Sequence, residues 1–218
     1  MVTTETPPEA TASPDGPTRA VGRRFGTVAL ALAIAVGLLL GYAAGWLTPT
    51  LTRPGDSSPE AGFARDMTTH HAQAVQMAML EWRLGSDREA TQIAADIATG
   101  QQGEIGVMQT WLKNWGLDPT GSEPVMAWMP DGAESVKDGL MPGMATTAEL
   151  RQLEASTGRA ADILFLTLMI KHHLGGIHMV DAILKLSDNS DVTEAAQRMK
   201  NLQQSEVGNM RAALDRLQ

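Results

Sequence analysis

Shifted by 102 residues, the C-terminal two-thirds of the chain matches itself without a gap. Phe63-x-x-x-Met67-x-x-His70-His71 returns as Phe165-x-x-x-Met169-x-x-His172-His173. Met77 falls on Met179 and Leu84 on Leu186. Gln101-Gln102-x-Glu104-x-Gly106-x-Met108 returns as Gln203-Gln204-x-Glu206-x-Gly208-x-Met210, and Leu112 falls on Leu214. Two units are too few for a solenoid, which needs three or more. The pattern specifies a duplicated supersecondary element, with units at residues 58–116 and 159–218.

Each unit reads as a helical hairpin. Phe 3 and Tyr 1 are few and Met 13 is many, a balance that favours helices over strands. Ser58 supplies an N-cap and Pro59 the first helical position. The first helix is expected to run to about Leu84, with Gly85 ending it. Ser86 and Glu89 read as a capping box for the second, which should end near Gly116. In the second unit a helix starts at Gly158 or Arg159 and ends near Leu186, residues 187–190 turn, and the last helix reaches the C-terminus. A crossover at residues 117–158 joins the units and contains a short helix opened by Thr146 and Glu149. The fold class is therefore all-α: an antiparallel four-helix bundle of ferritin-like topology, which requires such a long connection between helices two and three.

The N-terminal part does not belong to this bundle. Residues 1–24 are rich in Thr, Pro and Ala without an apolar period and read as a disordered tail. Residues 25–47 are an uncharged apolar run of 23 residues, and about 20 span a bilayer core as a helix. Tyr42 and Trp46 stand near its far end, where interfacial aromatics collect. Arg19, Arg23 and Arg24 precede it and only Arg53 follows closely. The positive-inside rule then puts the N-terminus in the cytoplasm and the bundle outside the cell membrane. Residues 48–57 read as a linker.

Composition excludes several functions. The chain has no Cys, so disulfides, thiolate metal sites and Cys catalysis are out. A net charge of −8 argues against nucleic acid as partner, because affinity there comes mainly from Lys and Arg.

The bundle seam is polar at mid-height. The first helix carries Phe63, Met67, His70, Ala74, Met77, Glu81 and Leu84 at core spacing, and the second carries Gln101, Glu104 and Met108 among apolar neighbours. Core positions are normally apolar, and a buried unpaired polar group costs several kcal/mol. Folding the first unit at Ser86 puts residue 70 opposite 102. Folding the second at Asp188 puts residue 172 opposite 204. Both His-His pairs thus lie level with Gln-Gln-x-Glu, about 24 Å from the turns at about 1.5 Å per residue. Packed as pseudo-twofold mates, the units bring four His, two Glu, two Gln and several Met into one layer. His with Met favours copper, whereas His with Glu alone also suits zinc or iron. The bland alternative is a metal-free hydrogen-bonded layer that fixes helix register.

Other features rank lower. Met126-x-x-Met129 and Met141-x-x-Met144 could hold Cu(I) or simply fill gaps. His178 has no twin and reads as a surface residue or a neighbour of the layer. Asp66, Asp162 and Asp181 could lie near the layer, but each reads more simply as a solvated helix charge. Gly100, Gly103 and Gly106 point to close helix approach, and Trp111, Trp115 and Trp128 to packing at the bundle end.

This pattern resembles the domain of unknown function 305 (DUF305) family, a ferritin-like group with copper-binding members of the CopM type. The resemblance rests on both His-His motifs, on Met141-Pro142-Gly143-Met144 followed by Glu149-Leu150, on Asp162 and Gly175, and on both Gln-Gln-x-Glu-x-Gly-x-Met runs. It covers residues 58–218. It implies a helical bundle and, in some members, copper held by His and Met. The first unit departs from the second: Gln73 and Ala74 stand where the second has Gly175 and Gly176, and Glu60 where it has Asp162.

The expected protein is a single-pass membrane protein whose external bundle binds a copper ion for sequestration or tolerance. Candidate ligands are His70, His71, His172, His173, Met67, Met169, Met77, Met179, Glu104, Glu206, Met108 and Met210. One alternative is an enzyme, a ferritin-like metal oxidase. Di-iron bundles use Glu-x-x-His, and Met67 and Met169 occupy those Glu positions, which argues against iron. The other alternative is a metal-free structural or interaction module. The sequence leaves open whether the chain forms a homo-oligomer.

Overall fold

The computed structural model describes residues 24–51 and 53–218. Residues 1–23, the bulk of the expected disordered tail, lie outside the described residues. The chain divides into two compact units, one ending at Thr52 and one comprising Arg53–Gln218. The first unit contains α1, Arg24–Leu51. Its segment Gly26–Trp46 is 21 residues, long and apolar enough to cross a membrane. The helix passes through Pro49, so residues 48–51, read from sequence as linker, are helical.

The second unit is all-helical among the described residues: α2 (Pro59–Leu84), α3 (Arg88–Trp115), α4 (Gly132–Ser135), α5 (Thr147–Ala155), α6 (Arg159–Leu186) and α7 (Ser190–Leu217). α2 and α3 form one hairpin, α6 and α7 the other, and α2 packs on α6 as the central pair. α6 is also long and apolar, but half of it is buried in the bundle. The N-terminal half of α2 shares a hydrophobic cluster with the C-terminal half of α6, so the central pair runs antiparallel. This is the expected ferritin-like, antiparallel four-helix bundle with a long crossover.

Local signals account for most helix ends. Ser58 Oγ accepts from the N–H of Ala61 at 3.2 Å, ahead of Pro59. Thr146 and Glu149 form the expected capping box of α5. Gly116 ends α3 at φ 75°, a left-handed position that glycine adopts without steric cost. Two ends differ from expectation. Asp87, not Ser86, caps α3 by accepting from the N–H groups of Glu89 and Ala90. Gly85 has an extended backbone with φ −69°, so its role is not conformational. A Cβ there would strike the carboxyls of Glu81 and Asp162.

Asp162 is fully buried rather than solvated. It accepts from the N–H groups of Ser86 and Asp87 and from Ser86 Oγ, closing the α2–α3 turn from the other repeat. Its counterpart Glu60 accepts from Ser187 Oγ at 2.6 Å, tying the α6–α7 turn back to α2. Each repeat thereby fastens the turn of its mate. Asp66 accepts from the Met126 N–H and from Trp128 Nε1, both at 2.8 Å, and anchors the crossover. Asp181 pairs with Lys200.

Candidate metal centre

The four histidines are all buried, with at most 1% exposure. Periodicity explains this: His70 and His172 fall on the core seam three residues after Met67 and Met169, and the adjacent His71 and His173 turn by about 100° toward the partner helix of each hairpin. The rings of His70 and His172 meet across the central pair, with centroids 3.8 Å apart and planes at 37°. His71 Nε2 lies 2.8 Å from Glu104 Oε2, and His173 Nε2 lies 2.7 Å from Glu206 Oε2. The hairpin register read from the turns, which puts 71 opposite 101 and 173 opposite 203, therefore holds to within three residues in both repeats.

These contacts fix which nitrogens remain available. A carboxylate only accepts, so Nε2 of His71 and of His173 carries the proton of the hydrogen bond, and Nδ1 is the other nitrogen of each ring. His70 Nε2 lies 3.0 Å from the carbonyl oxygen of Pro142, which also only accepts. Nδ1 of His70, His71 and His173 and Nε2 of His172 are buried without a hydrogen-bond partner. Burial holds the His70 imidazole at about 3, against a mild upward pull from the Pro142 carbonyl, and holds His172 well below the ordinary value. Both rings are thus neutral at physiological pH.

The layer lies between two apolar clusters. Met77, Met169 and Met210 belong to one, and Met67, Met108 and Met179 to the other. All six methionines are fully buried. The expected thioether ligands are thus divided, three in the cluster toward each end of the bundle. Gln101 and Gln203 are buried beside them, and each leaves its Oε1 without a partner.

The donor types buried in this part of the core are imidazole and thioether. Among the described residues, no three His, Asp or Glu side chains gather as a metal-holding group. Unpartnered imidazole nitrogens flanked by thioethers match the preferences of Cu(I), and imidazole serves Cu(II) as well.

The crossover completes the site, and sequence reasoning did not anticipate its part. Gln73 forms a two-way clamp with Ala145, donating to its carbonyl at 3.0 Å and accepting from its N–H at 2.7 Å. At the equivalent position of α6, Gly175 leaves room for Pro142 and Gly143 to lie directly on the helix. The unequal residues Gln73 and Gly175 are the two sides of one loop-docking site. By contrast, Gly100, Gly103 and Gly106 do not mediate close helix approach: a Cβ on any of them would meet nothing within 4 Å. Trp111 and Trp115 stack on each other, while Trp128 packs edge-on against Phe63.

The bundle resembles several solved structures. A secreted-protein candidate of the DUF305 family from Streptomyces coelicolor is 36% identical with a TM-score of 0.68, covering 75% of this chain and 96% of that one. A DUF305 fragment from Deinococcus radiodurans is 30% identical with a TM-score of 0.61, covering 72% and 96%. CopM in its Cu(II)-bound form is 22% identical with a TM-score of 0.58, covering 74% and 98%, and shares the fold. No curated protein matches the chain. The family described as domain of unknown function (DUF305) matches residues 60–214, and this chain belongs to it.

Proposed function

We propose that this protein is a membrane-anchored copper-binding protein whose bundle holds the ion outside the cytoplasm for sequestration or tolerance. One observation carries the reading: four buried imidazoles, each with one unpartnered nitrogen, lie between two groups of three buried thioethers. Leaving that many buried acceptors unsatisfied costs about 1–3 kcal/mol each, and an ion supplies the missing partner. His70 and His172 are the central ligands, with thioethers from Met67, Met169, Met77, Met179, Met108 and Met210 within the same core. Glu104 and Glu206 hold His71 and His173 in the tautomer that directs Nδ1 inward, as carboxylates commonly do behind metal-bound imidazoles.

Two further observations support the reading. CopM, which shares the fold, has Cu(II)-bound and Cu(I)-bound forms. The apolar helix α1 suits an anchor. Melting of the full chain in detergent with and without copper tests the proposal. An ion that binds only the folded state raises the melting temperature. His70→Ala/His172→Ala abolishes that shift, and replacing Met126, Met129, Met141 and Met144 by Leu reduces it. An undiminished shift in the His variant overturns the central-layer assignment.

A further inference from the structure

His178 lies on α6 outside the buried layer and has no counterpart in the first repeat, where Gln76 stands. It is exposed and makes no hydrogen bond or ion pair with any described residue. Two clefts meet at its side chain. One is walled by Leu140, Met141, Met144 and Lys171, the other by Met129, Pro130 and Lys185. Three thioethers from the crossover therefore surround the two openings beside one exposed imidazole.

Their placement follows from backbone fit. Lys171, Gly175 and His178 share one face of α6 at i, i+4 and i+7. Gly143 lies over this face: its φ is +80°, and a Cβ there would meet the carbonyl oxygens of Lys171 and His172 and the Cα of Gly175. Only glycine combines that backbone with that proximity. The loop is thus pressed onto the helix, with Met141 before and Met144 after the contact, and the Gln73–Ala145 clamp fastens its far end. Met141 is buried and Met144 half-buried.

We propose that His178, Met141 and Met144 form a second, surface-accessible site for Cu(I), with Met129 at its other side. Soft thioether ligands with an imidazole select Cu(I). The loop that carries the thioethers also receives the His70 hydrogen bond at Pro142. The surface site therefore abuts the buried layer and serves as the point where the ion first lands. The choice of copper rests on the function proposed above, but the site itself does not share a ligand with the buried layer.

The test is a titration of the full chain in detergent micelles, labelled at methionine methyls and histidine rings, with Cu(I) added anaerobically and read by NMR. The early additions shift the Met141 and Met144 methyls and the His178 ring before the His70 and His172 rings respond. His178→Gln, which installs the residue of the first repeat, lowers copper uptake by one equivalent and slows filling of the buried layer at least five-fold. If the buried rings respond at an unchanged rate while Met141, Met144 and His178 stay silent, the surface site is wrong and the copper function stands. If neither group responds, both fail.

Discussion

The carbonyl oxygen of Pro142 stands where a Cβ on Gly175 would be, and the same oxygen takes the hydrogen bond from His70 Nε2. A missing side chain on α6 thus sets the tautomer of a histidine on α2. Gly175→Ala should push the loop off the helix and break that bond. The expected result is a lower melting temperature in the metal-free protein and at least ten-fold weaker copper binding. Wild-type affinity in a folded Gly175→Ala variant would show that the Pro142 contact does not organise His70.

The outward glycines of α3 provide the opposite case. Gly100, Gly103 and Gly106 are mid-helix with open space around each missing Cβ. Glycine in a helix interior costs about 0.5–1 kcal/mol relative to alanine. Each Gly→Ala change should therefore stabilise the metal-free bundle by about that amount and leave copper affinity unaltered. A loss of stability on thermal melting would mean that the glycines accommodate a packing partner.

The difference between Gly175 and these three shows what could be read from the sequence. The duplication was legible because identical spacings in both halves encode identical hairpins. Counting back from Ser86 and Asp188 placed His71 near Glu104 and His173 near Glu206, and the hydrogen bonds are there. Contacts between the halves were not legible. Asp162 reads as one more solvated charge because the N–H groups that it accepts from lie 75 and 76 residues away. Gly85 reads as a conformational helix stop, whereas its smallness is what matters. Helical periodicity tells which face a residue occupies, but not which distant loop or carboxyl will arrive there.

Glu81 gives a pH dependence of definite sign. Its carboxyl is buried beside that of Asp162. Burial foremost, then the neighbouring Asp162, pushes its carboxyl from 4.5 to about 8. Below about 4.5 it is protonated in the folded and unfolded chain alike. Between 4.5 and about 8 only the unfolded chain releases the proton, which favours unfolding increasingly as pH rises. Above about 8 the full penalty is present. Stability from this group is therefore greatest in acid and is lost progressively toward pH 8. Glu81→Ile, which copies the equivalent buried Ile183, should flatten that part of the melting profile between pH 5 and 8. An unchanged slope would mean that another group titrates there.

Membrane topology gives a prediction independent of metal. Arg19, Arg23 and Arg24 on the N-terminal side of the apolar segment favour retention of that end in the cytoplasm. A reporter that is active only outside the cytoplasm, fused after Gln218, should be active. A well-expressed but inactive fusion would reverse the orientation and place the bundle in a reducing compartment.

The carboxylates at Glu104 and Glu206 separate two roles for the outer histidines. As positioning groups they never touch the ion; each accepts a hydrogen bond from Nε2 and leaves Nδ1 as the nitrogen that faces the ion. Replacing either with Gln preserves an acceptor and the packing but removes the charge that raises imidazole basicity. Losses behind metal-bound histidines are typically 10–100-fold in affinity. Glu104→Gln and Glu206→Gln should each weaken copper binding within that range, while the copper X-ray absorption spectrum keeps the same nitrogen and sulfur shells. Loss of an oxygen shell from that spectrum would make the carboxylates ligands. No change in affinity would disconnect His71 and His173 from the ion and leave the His70–His172 pair, with its thioethers, as the whole centre.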